Sequence, residues 1–253
     1  MMAETNGRGH TARSPRDPRR MPSVKATGRW IGVGILLGYA GDIWSNFWLQ
    51  PGIRISQGPI GLLEGAAQQP QTIALIVALG LASGLLAVIM AGLICGITRD
   101  RPAFGLALMY LGVTAASLGM GGVEMAGVQM MRAFGDALAG QTGGQAALSG
   151  ETLQLVVTSL RNSMHFPHLL TAGFSAVLLY LILWRSRLIP GLLGIAGLAA
   201  SMSQMTGVFT GIMGREVHIG FLMPLFVVHL ILAIWLITRG FKDRSPDIAM
   251  PAA

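Results

Sequence analysis

The chain has 253 residues, 52% of them hydrophobic and only 11% charged, against about 25% charged in a soluble domain. That balance excludes an ordinary water-soluble globule. The formal charge of +7 does not indicate nucleic-acid binding, because the basic residues sit at the chain ends and between apolar stretches. The single cysteine, Cys95, excludes an internal disulfide and a thiolate metal cluster.

Residues 1–28 carry Pro15, Pro18 and Pro22 among Arg, Ser and Gly and have no apolar face. They are expected to form a disordered basic cytoplasmic tail, which helps set topology and can meet anionic lipid head groups. A cleaved signal peptide ending near Tyr39-Ala40-Gly41 is disfavoured, because the apolar character continues through Phe47 and Trp48.

Six spans follow: Trp30–Leu49, Thr72–Ile97, Ala103–Met125, His168–Trp184, Leu188–Met213 and Ile219–Ile237. Each approaches the roughly 20 residues that cross about 30 Å of hydrocarbon. Only helix fits them, since lipid cannot satisfy backbone groups and barrel strands would be shorter and alternate. The longest loop, roughly Arg132–Ser163, is Gly- and Ala-rich. Within it, Leu153, Val156, Val157 and Leu160 recur at helical spacing behind Glu151 and Thr152, which predicts an interfacial helix leading into the fourth span. Residues 243–253 are expected to be a second disordered cytoplasmic tail.

Fold class is therefore all-α: a polytopic six-helix membrane bundle over 29–242, with one additional extracytoplasmic interfacial helix. Fourteen of the 18 basic residues fall on the side of the termini. Only Arg54, Arg132, Arg161 and Arg215 fall on the other. Insertion favours basic loops inside, so both termini are expected in the cytoplasm and the protein in the plasma (inner) membrane. Gly34 and Gly38, Gly80 and Gly84, and Gly207 and Gly211 form four-residue spacings that suit close helix packing, within the chain or in a homo-oligomer. Trp44, Trp48 and Trp184 are placed as interfacial anchors.

Span four runs into Leu179-Tyr180-Leu181-Ile182-Leu183-Trp184-Arg185-Ser186-Arg187-Leu188-Ile189-Pro190, then Gly191-Leu192-Leu193-Gly194. The chain closes on Leu230-Ile231-Leu232-Ala233-Ile234-Trp235-Leu236 with Arg239-Gly240-Phe241. These segments resemble the DUF4386 family, bacterial multi-pass membrane proteins of unknown function. The likeness is most specific over 179–242. It implies the fold and a bacterial inner-membrane location, and supplies no reaction and no catalytic residues. The family pattern carries an acid six positions before the closing Trp. This chain has His229 there, so any role of that acid is altered or lost.

Ionisable groups inside spans are costly, which makes each a functional candidate. Asp42, Asn46, Glu124, His165, His168, Gln204 and His229 are the candidates for a polar, ligand-binding pocket. On the expected topology nearly all lie in the outer half, so the pocket faces outward. His165 and His168 share a helix face and are the candidate metal ligands. Two histidines do not close a site, however, and the expectation is no metal and no cofactor. Methionines on the same side could serve Cu(I), or simply fill packing gaps. Asp42 is the attractive partner for His165 or His168 across helices. Glu124 and Arg132 can touch only if the helix ends between them.

The leading reading is a protein that binds or moves a small ligand, or a non-catalytic membrane partner. The alternative is a membrane-embedded enzyme, perhaps metal-dependent, using His165, His168, Asp42 and Glu124. Phosphate-binding, nucleophile-elbow and zinc-protease motifs are absent. The expected partners are the bilayer and a small molecule, not nucleic acid.

Overall fold

A bilayer leaves the backbone no partner but itself, and the apolar stretches accordingly fold as helices. The computed structural model describes residues 23–54, 60–139 and 144–242. Among these residues eight α-helices succeed one another: α1 Val24–Trp44, α2 Gln50–Ile53, α3 Gly61–Gln68, α4 Pro70–Thr98, α5 Phe104–Leu138, α6 Gly144–Arg185, α7 Gly191–Ile212 and α8 Met223–Arg239. No strand occurs among the described residues.

Among the described residues, five segments are long and apolar enough to cross a membrane: 70–98, 104–138, 149–185, 191–212 and 219–239. They make this a multi-pass membrane protein. α1, which holds most of the first expected span, is diluted by Lys25, Arg29 and Asp42. It starts at Val24, capped by the Ser23 side chain on the Ala26 N–H, which is earlier than residue 29. Of the expected disordered tails, 1–28 and 243–253, residues 1–22 and 243–253 lie outside the described residues, while residues 24–28 form the first turn of α1.

One wide helical turn, Ser45–Leu49, joins α1 to α2, with the Gln50 N–H reaching back five residues to the Ser45 carbonyl. Pro51 follows at once, and the wide turn absorbs the ring that would clash with a carbonyl one turn back.

The six long helices close a ring. α1 packs on α4, α4 on α5, α5 on α6, α6 on α7, α7 on α8, and α8 returns to α1. At the terminal end, Gly240 adopts φ 69°, and a Cβ there would lie 2.6 Å from the Lys25 carbonyl oxygen. Only glycine fits on both counts. Phe241, fully buried, seals that end with Ile31, Ile94, Leu183, Leu188 and Leu236.

A second apolar cluster occupies the opposite end: Ile53, Leu63, Ala66, Ile73, Ile76, Met125, Val128, Met131 and Val157. Leu63 and Ala66 of it belong to α3, whose backbone crosses α5 so closely that a Cβ on Gly135 would meet the Leu63 oxygen at 2.1 Å.

The long outer loop expected over Arg132–Ser163 is corrected by the structure. α5 has 35 residues and α6 has 42, about 52 and 63 Å at roughly 1.5 Å per residue, so both project well past the hydrocarbon. The expected interfacial helix is not a separate element. Its residues belong to α6, which continues unbroken through Pro167. α3 supports these extensions, and Gln154 Oε1 accepts from the Leu62 N–H at 3.2 Å.

The glycine spacings face side chains of the same chain. Gly34 meets Met90, Gly80 meets Met125, Gly84 meets Leu118, and Gly211 meets Phe166. They are knob-accepting surfaces between helices of the ring.

Candidate functional site

Between the two apolar clusters lies a cavity of about 490 Å³, lined by residues of all six long helices. Asp42, Asn46, Glu124, His165, His168, Gln204 and His229 all line it. All seven residues singled out by their cost in lipid therefore share one space.

Glu124 is the centre of its polar chemistry. It is 5% exposed and bridges α5 to α6. His165 Nδ1 lies 2.9 Å from Oε1, and His168 Nδ1 lies 3.1 Å from Oε2. An ionised carboxylate only accepts, so each Nδ1 carries a proton and donates it, leaving each Nε2 as the free ring nitrogen. The three-residue spacing of the histidines lets one carboxylate hold both. Gly121, one turn before Glu124, makes room: a Cβ there would sit 3.1 Å from His168 Cε1.

The partner of the histidines was expected to be Asp42, and that pairing is corrected. Asp42 instead lies beside Ser83 of α4, with His168 near enough to interact electrostatically. Which acid meets the imidazoles depends on the rotation of α5 against α6, and spacing along one helix does not reveal that. Arg132 is not a partner of Glu124 either, because the helix does not end between them. Arg132 pairs with Asp136 at 3.6 Å on an exposed face.

A relay of side chains follows on α1 and α2. Asn46 Nδ2 donates to the Asp42 carbonyl at 2.8 Å, and Gln50 Nε2 donates to Asn46 Oδ1 at 3.0 Å. Arg161 of α6 donates to Gln50 Oε1, tying α6 to α2 at the cavity's outer rim. Gln50 and Arg161 were missed in the sequence, because Gln50 fell just past the expected first span. The signal was the i, i+4, i+8 spacing of Asp42, Asn46 and Gln50 on one face.

Hydroxyls complete the lining and were also missed. Thr114 and Ser175 bridge α5 and α6 at 2.6 Å, and Ser117 lines the same wall. Serine and threonine are common in membrane helices, where they bond their own backbone, so they carry little signal alone.

His229 marks the deeper, aromatic end. Its ring lies 5.8 Å from that of Tyr39 and 5.3 Å from that of Tyr180, centroid to centroid. Tyr180 is fully buried and lies flat on α7, where a Cβ on Gly197 would meet its ring at 2.0 Å.

Among the described residues, no three His, Cys, Asp or Glu side chains converge as metal ligands. In His165 and His168, the two metal candidates, Glu124 occupies one ring nitrogen of each. The lining holds two carboxylates and, among the described residues, no Lys or Arg.

No curated protein and no solved structure matches this chain. The family described as a domain of unknown function, DUF4386, matches residues 30–240. That match takes in five apolar helices and every residue of the cavity's Glu124–histidine bridge, and this multi-pass membrane chain belongs to the DUF4386 family.

Proposed function

We propose that this protein binds a small ligand in the central cavity, either to present it or to move it across the membrane. One observation carries the reading: polar groups from every helix of the ring converge on one space inside it, closed at the terminal end by the apolar core. Polar groups in a membrane cost several kcal/mol (about 2.5–3.5 for a charge at a helix centre on insertion scales) unless they have a task or a partner. Glu124 and its histidines partner one another. Asp42, Asn46 and Gln204 still present polar atoms to the cavity, and its volume is ordinary for a small-molecule site.

The lining favours a ligand bearing a positive charge or an amine. Asp42 supplies the anionic anchor, Tyr39 an aromatic face beside it, and the described lining holds no Lys or Arg, Arg161 standing only at the rim. α1 is read as the sixth membrane span, because it completes the ring despite its diluted composition. The basic-residue asymmetry supports cytoplasmic termini in the inner membrane, with the cavity facing outward.

The experiment is a stability screen of the purified protein against small organic cations, anions and neutral polyols. A ligand at 100 times its Kd raises stability by about 2.7 kcal/mol. Stabilisation by cations alone, lost in Asp42→Asn, is the expected result. No stabilisation by any class, or equal stabilisation by anions, overturns the reading.

A second reading, a membrane-embedded enzyme, draws on the tautomer that Glu124 imposes, since a free imidazole Nε2 can take a proton from a substrate. It requires a bound compound to be recovered chemically changed, and His165→Gln to stop that change without abolishing binding.

A further inference from the structure

At the terminal end of the ring a separate surface pocket of about 610 Å³ is lined by Trp184, Arg185, Arg187, Ile189, Gly191 and Lys242. Three of the six are cations and none is an acid. Arg185, Arg187 and Lys242 form no ion pair with any described acidic side chain. The backbone brings them together. Lys242 N–H donates to the Leu188 carbonyl at 3.0 Å, and an Arg101 guanidinium nitrogen donates to the Ser186 carbonyl at 2.8 Å. The turn between α6 and α7 is thus pinned from two sides, while Phe241 anchors the closing segment in the core.

Among the described residues, every polar side chain of the lining is a donor: two guanidiniums, an ammonium and the Trp184 indole. Such a surface suits an oxyanion with several acceptor oxygens, and guanidiniums match phosphate in a bidentate manner. Among the described residues, the turn also carries the non-glycine residue with positive φ, Arg187 at 53°. That conformation is costly for a side chain and is tolerated where the side chain has a use.

The surroundings identify the source of the phosphate. Arg185 ends one membrane-spanning helix and Gly191 begins the next, so the pocket sits where a bilayer has its head groups. Trp184 is 42% exposed beside it, and Leu192 and Ile195 of α7 are 81% and 54% exposed. An apolar outer face therefore continues from the cations toward the bilayer interior, as the chains of a lipid would.

We propose that this pocket binds the phosphate of an anionic phospholipid whose acyl chains lie along the outer face of α7. The site is independent of the central cavity. Several cations are needed because each contributes only modestly near an anionic surface. Holding the α6–α7 turn and the closing segment together, the lipid would also strengthen the terminal seal of the ring.

Native mass spectrometry of the full chain, released from detergent and titrated with phosphatidylglycerol, phosphatidylcholine or inorganic phosphate, tests this. Wild type should retain phosphatidylglycerol at least tenfold more tightly than phosphatidylcholine. Arg185→Gln/Arg187→Gln/Lys242→Gln should reduce that preference to near unity. Arg13→Gln/Arg16→Gln/Arg19→Gln, with the same charge removed from the N-terminal segment, should keep it. Arg187→Gly provides a variant that relieves the backbone while removing one guanidinium. It should fold at least as well as wild type and still bind phosphatidylglycerol several-fold more weakly. Equal retention of both lipids, or equal losses in the pocket and N-terminal variants, overturns the proposal. So does displacement of the lipid by inorganic phosphate at comparable concentration, which would make this a site for the free ion.

Discussion

Replacing Glu124 with Ala removes the acceptor shared by His165 and His168 and leaves two Nδ1–H donors without it. Hydrogen bonds between membrane helices contribute about 0.6 kcal/mol on average and up to about 1.7. Those at Glu124 are charge-assisted and 2.9 and 3.1 Å long, which places them in the upper half of that range. The imidazoles are 40% and 31% exposed, so water in the cavity recovers part of the loss. The expected destabilisation is about 2 kcal/mol for Glu124→Ala. The cleaner quantity is the coupling energy from double-mutant cycles, Glu124→Ala with His165→Ala and separately with His168→Ala. Each should be about 1 kcal/mol, with the two similar in size. Reversible unfolding in mixed detergent micelles, followed by helical circular dichroism, measures both. A coupling within 0.3 kcal/mol of zero for either pair, about the additivity limit for independent sites, would refute the bridge. A matching coupling between Asp42 and either histidine would show that the acid was misassigned.

Other consequences follow from single contacts. Gly197→Ala drives a methyl group into the Tyr180 ring, at 2.0 Å from its nearest carbon, and should cost 3 kcal/mol or more, beyond the roughly 1–3 of ordinary overpacking. Tyr180→Phe should leave the melting temperature unchanged or raise it, because the buried hydroxyl has no hydrogen-bond partner among the described residues. Purified wild type should hold no stoichiometric metal by elemental analysis, and zinc or copper should leave its melting temperature unmoved, since a metal bound to the native state would raise it. Stoichiometric metal lost in His165→Ala/His168→Ala would instead move the enzyme reading ahead. Reporter fusions at Ala253 and near Gly143 should report the cytoplasm and the opposite side respectively, as the basic-residue asymmetry requires. A C-terminal reporter outside the cytoplasm would relocate every site.

Five of the six expected spans were legible because lipid leaves a helix no alternative, and length with apolarity is then enough. The seven cavity residues were legible for the same reason inverted: a polar group in lipid must face inward. What sequence did not carry was set by tertiary contact. α3 is eight residues long with two glycines, and what holds it is the burial of Leu63 and Ala66 against α5. The extension of α5 past Arg132 depends on that same contact, so Gly135, which reads as a break, is the point where another backbone crosses. α6 runs through Pro167 although a proline following polar residues usually starts or bends a helix. The choice of Glu124 over Asp42 as acceptor lies in helix rotation. The terminal pocket was hidden because Arg185 and Arg187 are 55 or more residues from Lys242 and read as ordinary topology signals.

The central claim is a polar cavity inside the ring, open to solvent from the end opposite the termini. Cysteine labelling tests it most directly. In a Cys95→Ser background, which keeps a donor for the Ala107 carbonyl, Ser83→Cys places a thiol on the cavity wall beside Asp42. A membrane-impermeant maleimide added outside intact cells should modify it, while a control cysteine at Leu85, on the exposed apolar face of α4, should stay unmodified. Position 83 protected until the protein is denatured, or modified only from the cytoplasmic side, would contradict the account.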